Sequence, residues 1–252
     1  MTNVVQIRSP CHPEEAAPAA VSKDASPPLQ PRHIRLYLRA MAQAKICGLS
    51  TPETVTAALA GGAAYLGFMF FEKSPRNIEP ELAGRLAAPA RGPAKVVAVV
   101  VDPDDAAIDR IVAQLRPDLI QLHGKETPQR AAAIAQRTGA GVIKVMPVSD
   151  ASDIDAAAAY EGAADHLMFE TRPPKDADRP GGLGVTFDWS LLQGRRFARP
   201  WFLAGGLDPW NAAEAVSQSG APILDVSSGV ERGPGVKDPA LISAFLEAVR
   251  RA

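Results

Sequence analysis

A chain of 252 residues with a formal net charge of −1 and 46% hydrophobic residues can bury one sizeable core, and it has no charge excess to recruit nucleic acid or an anionic membrane. No apolar run approaches the ~18 residues that a membrane span requires. The two cysteines, Cys11 and Cys47, lie in very different contexts, so a disulfide is not expected and a reducing, cytoplasmic setting fits.

Residues 1 to about 40 hold Pro10, Pro13, Pro18, Pro27, Pro28 and Pro31 among Ala, Ser and charges, without apolar periodicity. This is the composition of a disordered tail. Glu14, Glu15 and Asp24 interrupt any apolar stretch, so a secretory signal is not expected. Met41 stands just before the first ordered segment, which leaves an over-extended start and a genuine extension both open. The division expected is a Pro/Ala-rich tail over 1–42 and one catalytic domain over 43–252.

From Ala44 onward, short apolar runs alternate with helix-like segments. Residues 45–47 read as a strand stopped by Gly48, and a helix over 52–60 starts behind Ser50 or Thr51 with Pro52 at its first position. A strand over 65–70 leads into the polar loop 72–77, and a helix over 80–88 follows. The valine run 95–101 reads as a strand buried on both faces, and Asp102-Pro103-Asp104 opens a helix that runs to Leu115. Strand 119–122 runs into His123-Gly124 and is followed by helix 128–138, strand 142–146, helix 153–160 and strand 166–170. Gly181-Gly182-Leu183-Gly184 then leads to Phe187-Asp188-Trp189, the expected start of a sixth helix. A seventh strand over 202–207, a helix over 211–220, an eighth strand over 223–226 and a closing helix over 239–250 complete eight strand–helix pairs. Such alternation can also build an open doubly wound sheet. Eight units without a leading dinucleotide fingerprint favour closure into an α/β (β/α)8 TIM barrel.

In such a barrel the chemistry belongs to the carboxyl ends of the strands. That rule selects Cys47, Arg76, His123, Glu170, Asp225 and the loops at Gly205-Gly206 and Ser227-Ser228-Gly229. The two glycine and serine stops leave bare backbone N–H groups facing one space, which suits a phosphate, although glycine stops also occur in barrels that bind none. Cys47 reads either as a small buried hydrophobe or as a reactive thiol. Glu170 reads either as a functional carboxylate or as a partner of Arg172 or Lys175, since burying it unpaired would cost several kcal/mol. Arg76, behind the rigid Ser74-Pro75 turn, is either aimed at a ligand or solvated. His123 reads as a neutral histidine on the floor of the site. A thiol and a carboxylic acid across one barrel mouth suit a proton-transfer isomerisation. No metal-ligand spacing and no cofactor motif is present.

The ordered set Lys45-Ile46-Cys47-Gly48, Lys73-Ser74-Pro75-Arg76, Gln121-Leu122-His123-Gly124, Gly181-Gly182-Leu183-Gly184 with Phe187-Asp188-Trp189, Ala204-Gly205-Gly206-Leu207, and Asp225-Val226-Ser227-Ser228-Gly229-Val230-Glu231 with Gly235-Val236-Lys237-Asp238 resembles the phosphoribosylanthranilate isomerase family over about residues 44–250. The resemblance implies a TIM barrel of tryptophan biosynthesis, working without a cofactor on a small phosphoribosyl substrate by an Amadori rearrangement. It further implies Cys47 as the general base, Arg76 as the holder of the anthranilate carboxylate, and phosphate contacts from Gly182, Gly205, Gly206, Ser227, Ser228 and Gly229, with His123 and Asp225 also in the substrate site. The family's catalytic acid is an aspartate at the end of strand six, where this chain carries Glu170. The alternative reading is therefore a catalytically weak phosphosugar-binding relative.

Overall fold

The computed structural model describes residues 42–173, 181, 184 and 186–252. The expected tail over 1–42 lies outside these residues apart from Ala42, which packs half-buried against the core. Eight parallel strands close on themselves in chain order: β1 (Gln43–Cys47), β2 (Tyr65–Phe70), β3 (Lys95–Val100), β4 (Leu119–Leu122), β5 (Gly141–Val148), β6 (His166–Thr171), β7 (Trp201–Leu203) and β8 (Ile223–Val226). Closure comes from β8 against β1, with Ile223 opposite Gln43 and Asp225 opposite Lys45.

Among the described residues seven α-helices cover the barrel: α1 (Pro52–Ala60), α2 (Pro80–Ala87), α3 (Asp105–Leu115), α4 (Pro128–Thr138), α5 (Ala151–Asp155), α6 (Ala212–Ser219) and α7 (Pro239–Arg251). Their ends follow local chemistry. Thr51, Asp104, Thr127 and Asp238 cap α1, α3, α4 and α7 through side-chain acceptors, satisfying amides that the first helical turn leaves without partners. Gly139 and Gly220 end α4 and α6 in the left-handed conformation. In α7 the residues Ile242, Phe245, Leu246 and Val249 are buried, a spacing that gives one apolar stripe on the barrel.

Two expectations need correction. Among the described residues the unit after β6 has no α-helix, only a 3-10 turn over Trp189–Leu192, which ends where the backbone leaves the helical region at Gln193 (ψ 127°) ahead of the left-handed Gly194 (φ 72°). The seventh strand is also shorter than 202–207, since Ala204-Gly205-Gly206 already leaves the sheet. The eightfold repeat is followed by an element the alternation did not suggest: a 3-10 turn over Ser228–Val230 and the antiparallel hairpin β9 (Glu231–Gly233) with β10 (Val236–Lys237).

Strand side chains alternate between two cores, as a period of two requires. Ile46, Leu66, Phe68, Val96, Ala98 and Leu224 join the layer between strands and helices. Cys47, Val97, Val99, Ile143, Met168 and Phe202 fill the barrel interior. Full burial of each large apolar side chain contributes roughly 1.5–3 kcal/mol. The inward positions nearest the carboxyl ends are where polar residues replace apolar ones. Among the described residues no helix is long and apolar enough to cross a membrane.

Candidate active site

Cys47 of β1, Gln121 of β4, Glu170 of β6 and Asp225 of β8 all face the barrel interior toward its carboxyl-terminal end, with His123 and Ser227 just past β4 and β8. All six line one solvent-open cavity, together with Met69, Phe71, Ser74, Arg76, Val101 and Gly181. The cavity therefore holds a thiol, two carboxylates, an imidazole and a guanidinium beside the apolar Met69, Phe71 and Val101.

Beneath it, Lys45 is fully buried and its ammonium lies 2.8 Å from Asp225 Oδ1. Asp225 and the nearby Cys47 hold that ammonium in its charged form although burial opposes it. The Cys47 thiol is pushed up by burial. The Asp225 carboxylate adds to that rise, whereas Lys45 and Lys237 pull it down. Opposite signs thus meet at one sulfur, the two lysines favouring the thiolate and Asp225 and burial opposing it.

Glu170 is buried, and its Oε2 lies 2.7 Å from Nε2 of His123, out of line for a hydrogen bond. The bland alternative for Glu170 fails at Arg172, which pairs with Asp153 instead; Lys175 lies outside the described residues. Gly181 closes over the pair. A Cβ there would come within 2.6 Å of Glu170 Oε1 and 2.9 Å of His123 Cε1, so only glycine lets the backbone approach so closely.

Arg76 is not solvated. It is 5% exposed, with Nε 2.7 Å and Nη2 2.8 Å from the two carboxylate oxygens of Glu231. The Ser74-Pro75 turn aims it, with the Arg76 amide donating to Ser74 Oγ at 3.2 Å. Gly48 makes room for it, since a Cβ at that position, φ +78°, would sit 2.6 Å from Arg76 Cδ. The fork pattern spends one edge of the guanidinium on Glu231 and leaves Nη1 without a partner among the described residues.

The glycine and serine loops stand beside the cavity. Gly205 and Gly206 turn at φ 90° and 66°. Asn211 holds that turn by donating to the Gly206 carbonyl at 2.9 Å and accepting from the Asp208 amide at 2.9 Å. Ser227 lines the cavity, whereas Gly205, Gly206, Ser228 and Gly229 lie outside its lining. Gly182 lies outside the described residues.

Three residues of this cluster escaped the sequence reading as site members. Gln121 is buried with Oε1 unpartnered among the described residues; its signal was its inward register, two residues before His123. Glu231 and Lys237 come from the hairpin. Their signal was charge at the two ends of a short Gly-containing turn, which reads equally well as a solvated loop.

The family model described as N-(5'-phosphoribosyl)anthranilate (PRA) isomerase matches residues 44–248. The N-(5'-phosphoribosyl)anthranilate isomerase of Caulobacter sp. strain K31 is 68% identical over 212 residues, covering 84% of this chain and all of that protein. The crystal structure of phosphoribosyl anthranilate isomerase from Thermotoga maritima is similar at a TM-score of 0.75 and 33% identity, over 84% of this chain and 100% of that one. A phosphoribosyl anthranilate isomerase solved in complex with reduced 1-(o-carboxyphenylamino)-1-deoxyribulose 5-phosphate matches at a TM-score of 0.71 and 30% identity, with the same coverage.

Proposed function

From the premise that this chain belongs to the N-(5'-phosphoribosyl)anthranilate isomerase family, we propose how its own residues divide the work of the reaction. The protein is an isomerase of tryptophan biosynthesis, and the reading of a catalytically weak relative finds no support among relatives that carry the isomerase name at 50–68% identity.

Glu170 is the general acid. It protonates the ribose ring oxygen, the C1–oxygen bond breaks, and the anilino nitrogen supplies the electron pair that makes an iminium. Cys47, as thiolate, is the general base that takes the C2 proton. The electrons of that C–H bond neutralise the iminium and leave an enolamine, which tautomerises to the ketone. His123 beside Glu170 orients the acid and can return its proton from solvent. The unpartnered Oε1 of Gln121 is available to accept from a substrate hydroxyl or N–H. Arg76 takes the anthranilate carboxylate on its open Nη1 edge, and Gly205, Gly206, Ser227, Ser228 and Gly229, with Gly182, take the phosphate. Asp225 holds Lys45, and through it the charge around the thiol.

One observation supports this most: the thiol, the carboxylate and the guanidinium line the same cavity on three separate strands or loops. The remainder of the reading is a cytoplasmic enzyme with a catalytic domain over 43–252 and a dispensable tail before it. Cys47→Ser tests the base. A hydroxyl is a far poorer source of anion, so kcat should fall by ~10²-fold or more while the reduced product analogue still binds. Near-normal turnover would remove Cys47 from the role.

A further inference from the structure

The hairpin β9–β10 contributes two buried charges, Glu231 and Lys237, that touch no reacting atom in the scheme above, although Lys237 also favours the Cys47 thiolate. Glu231 receives Nε and Nη2 of Arg76 on one side and Nζ of Lys237, at 2.6 Å, on the other. Lys237 is 5% exposed and also donates to the Ser227 carbonyl at 2.9 Å and to Ser227 Oγ at 3.2 Å. Ser227 Oγ in turn donates its hydrogen to the Cys47 carbonyl at 3.2 Å, so it can only accept from Lys237. Three acceptors need three hydrogens, which an ammonium has and a neutral amine lacks. An ion pair of Arg76 and Glu231 alone would be neutral and would attract an anionic ligand weakly. Burial lowers the pKa of Lys237 and Glu231 opposes that; with Lys237 protonated, as its three acceptors require, the cluster carries one net positive charge.

We propose that Lys237 is a positioning residue that turns the buried Arg76–Glu231 pair into a cationic receptor for the substrate carboxylate and ties that receptor to the phosphate loop through Ser227. This deepens the reading of Arg76 given above and rests on it. The hairpin thereby measures the distance between the two anionic ends of the ligand: Glu231 fixes the guanidinium, Lys237 fixes Ser227, and the Gly235 amide, donating to Glu231 Oε2 at 3.2 Å, closes the turn between them. A ligand with only one of the two anions gains from only one end.

The test uses the full chain and three ligands: the reduced product analogue, the same compound with its carboxylate replaced by a carboxamide, and ribose 5-phosphate. In the unaltered protein the carboxylate ligand should bind at least tenfold more tightly than the carboxamide. Lys237→Met and the milder Lys237→Gln should shrink that preference at least fivefold and raise KM more than they lower kcat. Lys237→Arg, which keeps the charge, should retain most of the preference. Ribose 5-phosphate should weaken severalfold in the neutral variants, because Ser227 is no longer held. A full carboxylate preference in a folded neutral variant would overturn the proposal. Arg76→Ala separates the two layers of the argument. If it weakens carboxylate and carboxamide equally, Arg76 is not the receptor. If it abolishes the preference while Lys237→Gln leaves it intact, Arg76 keeps its role and Lys237 loses the one assigned here.

Discussion

The sign of each neighbouring charge decides the pH at which Cys47 is a thiolate. Burial and Asp225 push the thiol up, and Lys45 and Lys237 oppose them. A base must be deprotonated to act, so kcat/KM should rise with pH toward a midpoint above the ordinary thiol value of ~8.5. Asp225→Asn removes a negative charge that disfavours the thiolate and leaves Lys45 unpaired beside it. The rising limb should therefore move to lower pH, although the variant will be less stable, because breaking a buried pair costs about 3–5 kcal/mol. A pH–rate profile of the two proteins, taken well below the lower melting temperature, decides this. A limb that stays in place would mean that Cys47 does not set it.

At the scale of elements, the segments just past the carboxyl ends of β3 and β4 are held by a buried cluster outside the barrel interior. Lys144 lies 2.7 Å from both Glu126 Oε2 and the Gly124 carbonyl. Glu126 accepts the amides of Asp102, at 2.9 Å, and Gly124, at 3.0 Å. The cluster thus fixes the loop that carries His123 against Glu170. Lys144→Met leaves Glu126 charged and buried without its cation, and should destabilise the fold by about 3–5 kcal/mol, a fall in melting temperature of roughly 6–20 °C at ~2–4 °C per kcal/mol. Thermal unfolding measures it, and a change below 2 °C would show the loop to be held by other means. Much of this layer was legible beforehand. Strands β2 and β4 and helices α1 and α4 begin and end where the apolar runs, Pro52, Pro128 and the glycine stops put them, because each boundary is set by local chemistry. The hairpin β9–β10 and the role of Lys144 were not legible. A strand of two residues has no period to read, and Lys144 points outward from a strand whose other outward residues are apolar, so its partner depends on a loop 18 residues away in the chain. That Cys47, Glu170 and Arg76 would line one cavity was legible from their strand-end positions, but the sequence could not say that Glu231 would occupy one edge of the guanidinium.

For the molecule as a whole, all of the Caulobacter relative is covered by 84% of this chain, and every side chain assigned a role lies after Ala44. We propose that residues 1–38 add nothing to catalysis or stability. Deleting them should leave kcat and the melting temperature unchanged within error, and a fall of several degrees would contradict this. The central claim is that Glu170 serves as the acid where the family has an aspartate. Its side chain is one methylene longer, and a misplacement of ~1 Å can cost about a hundredfold, so this barrel must set the carboxylate with His123 and Gly181. Steady-state kinetics of Glu170→Gln and Glu170→Asp, with product-analogue binding measured alongside, tests the claim most directly. Glu170→Gln should lose ~10²-fold or more in kcat and still bind the analogue, while Glu170→Asp should keep activity. A Glu170→Gln protein with normal turnover would contradict the claim and move the search for the acid to Asp225.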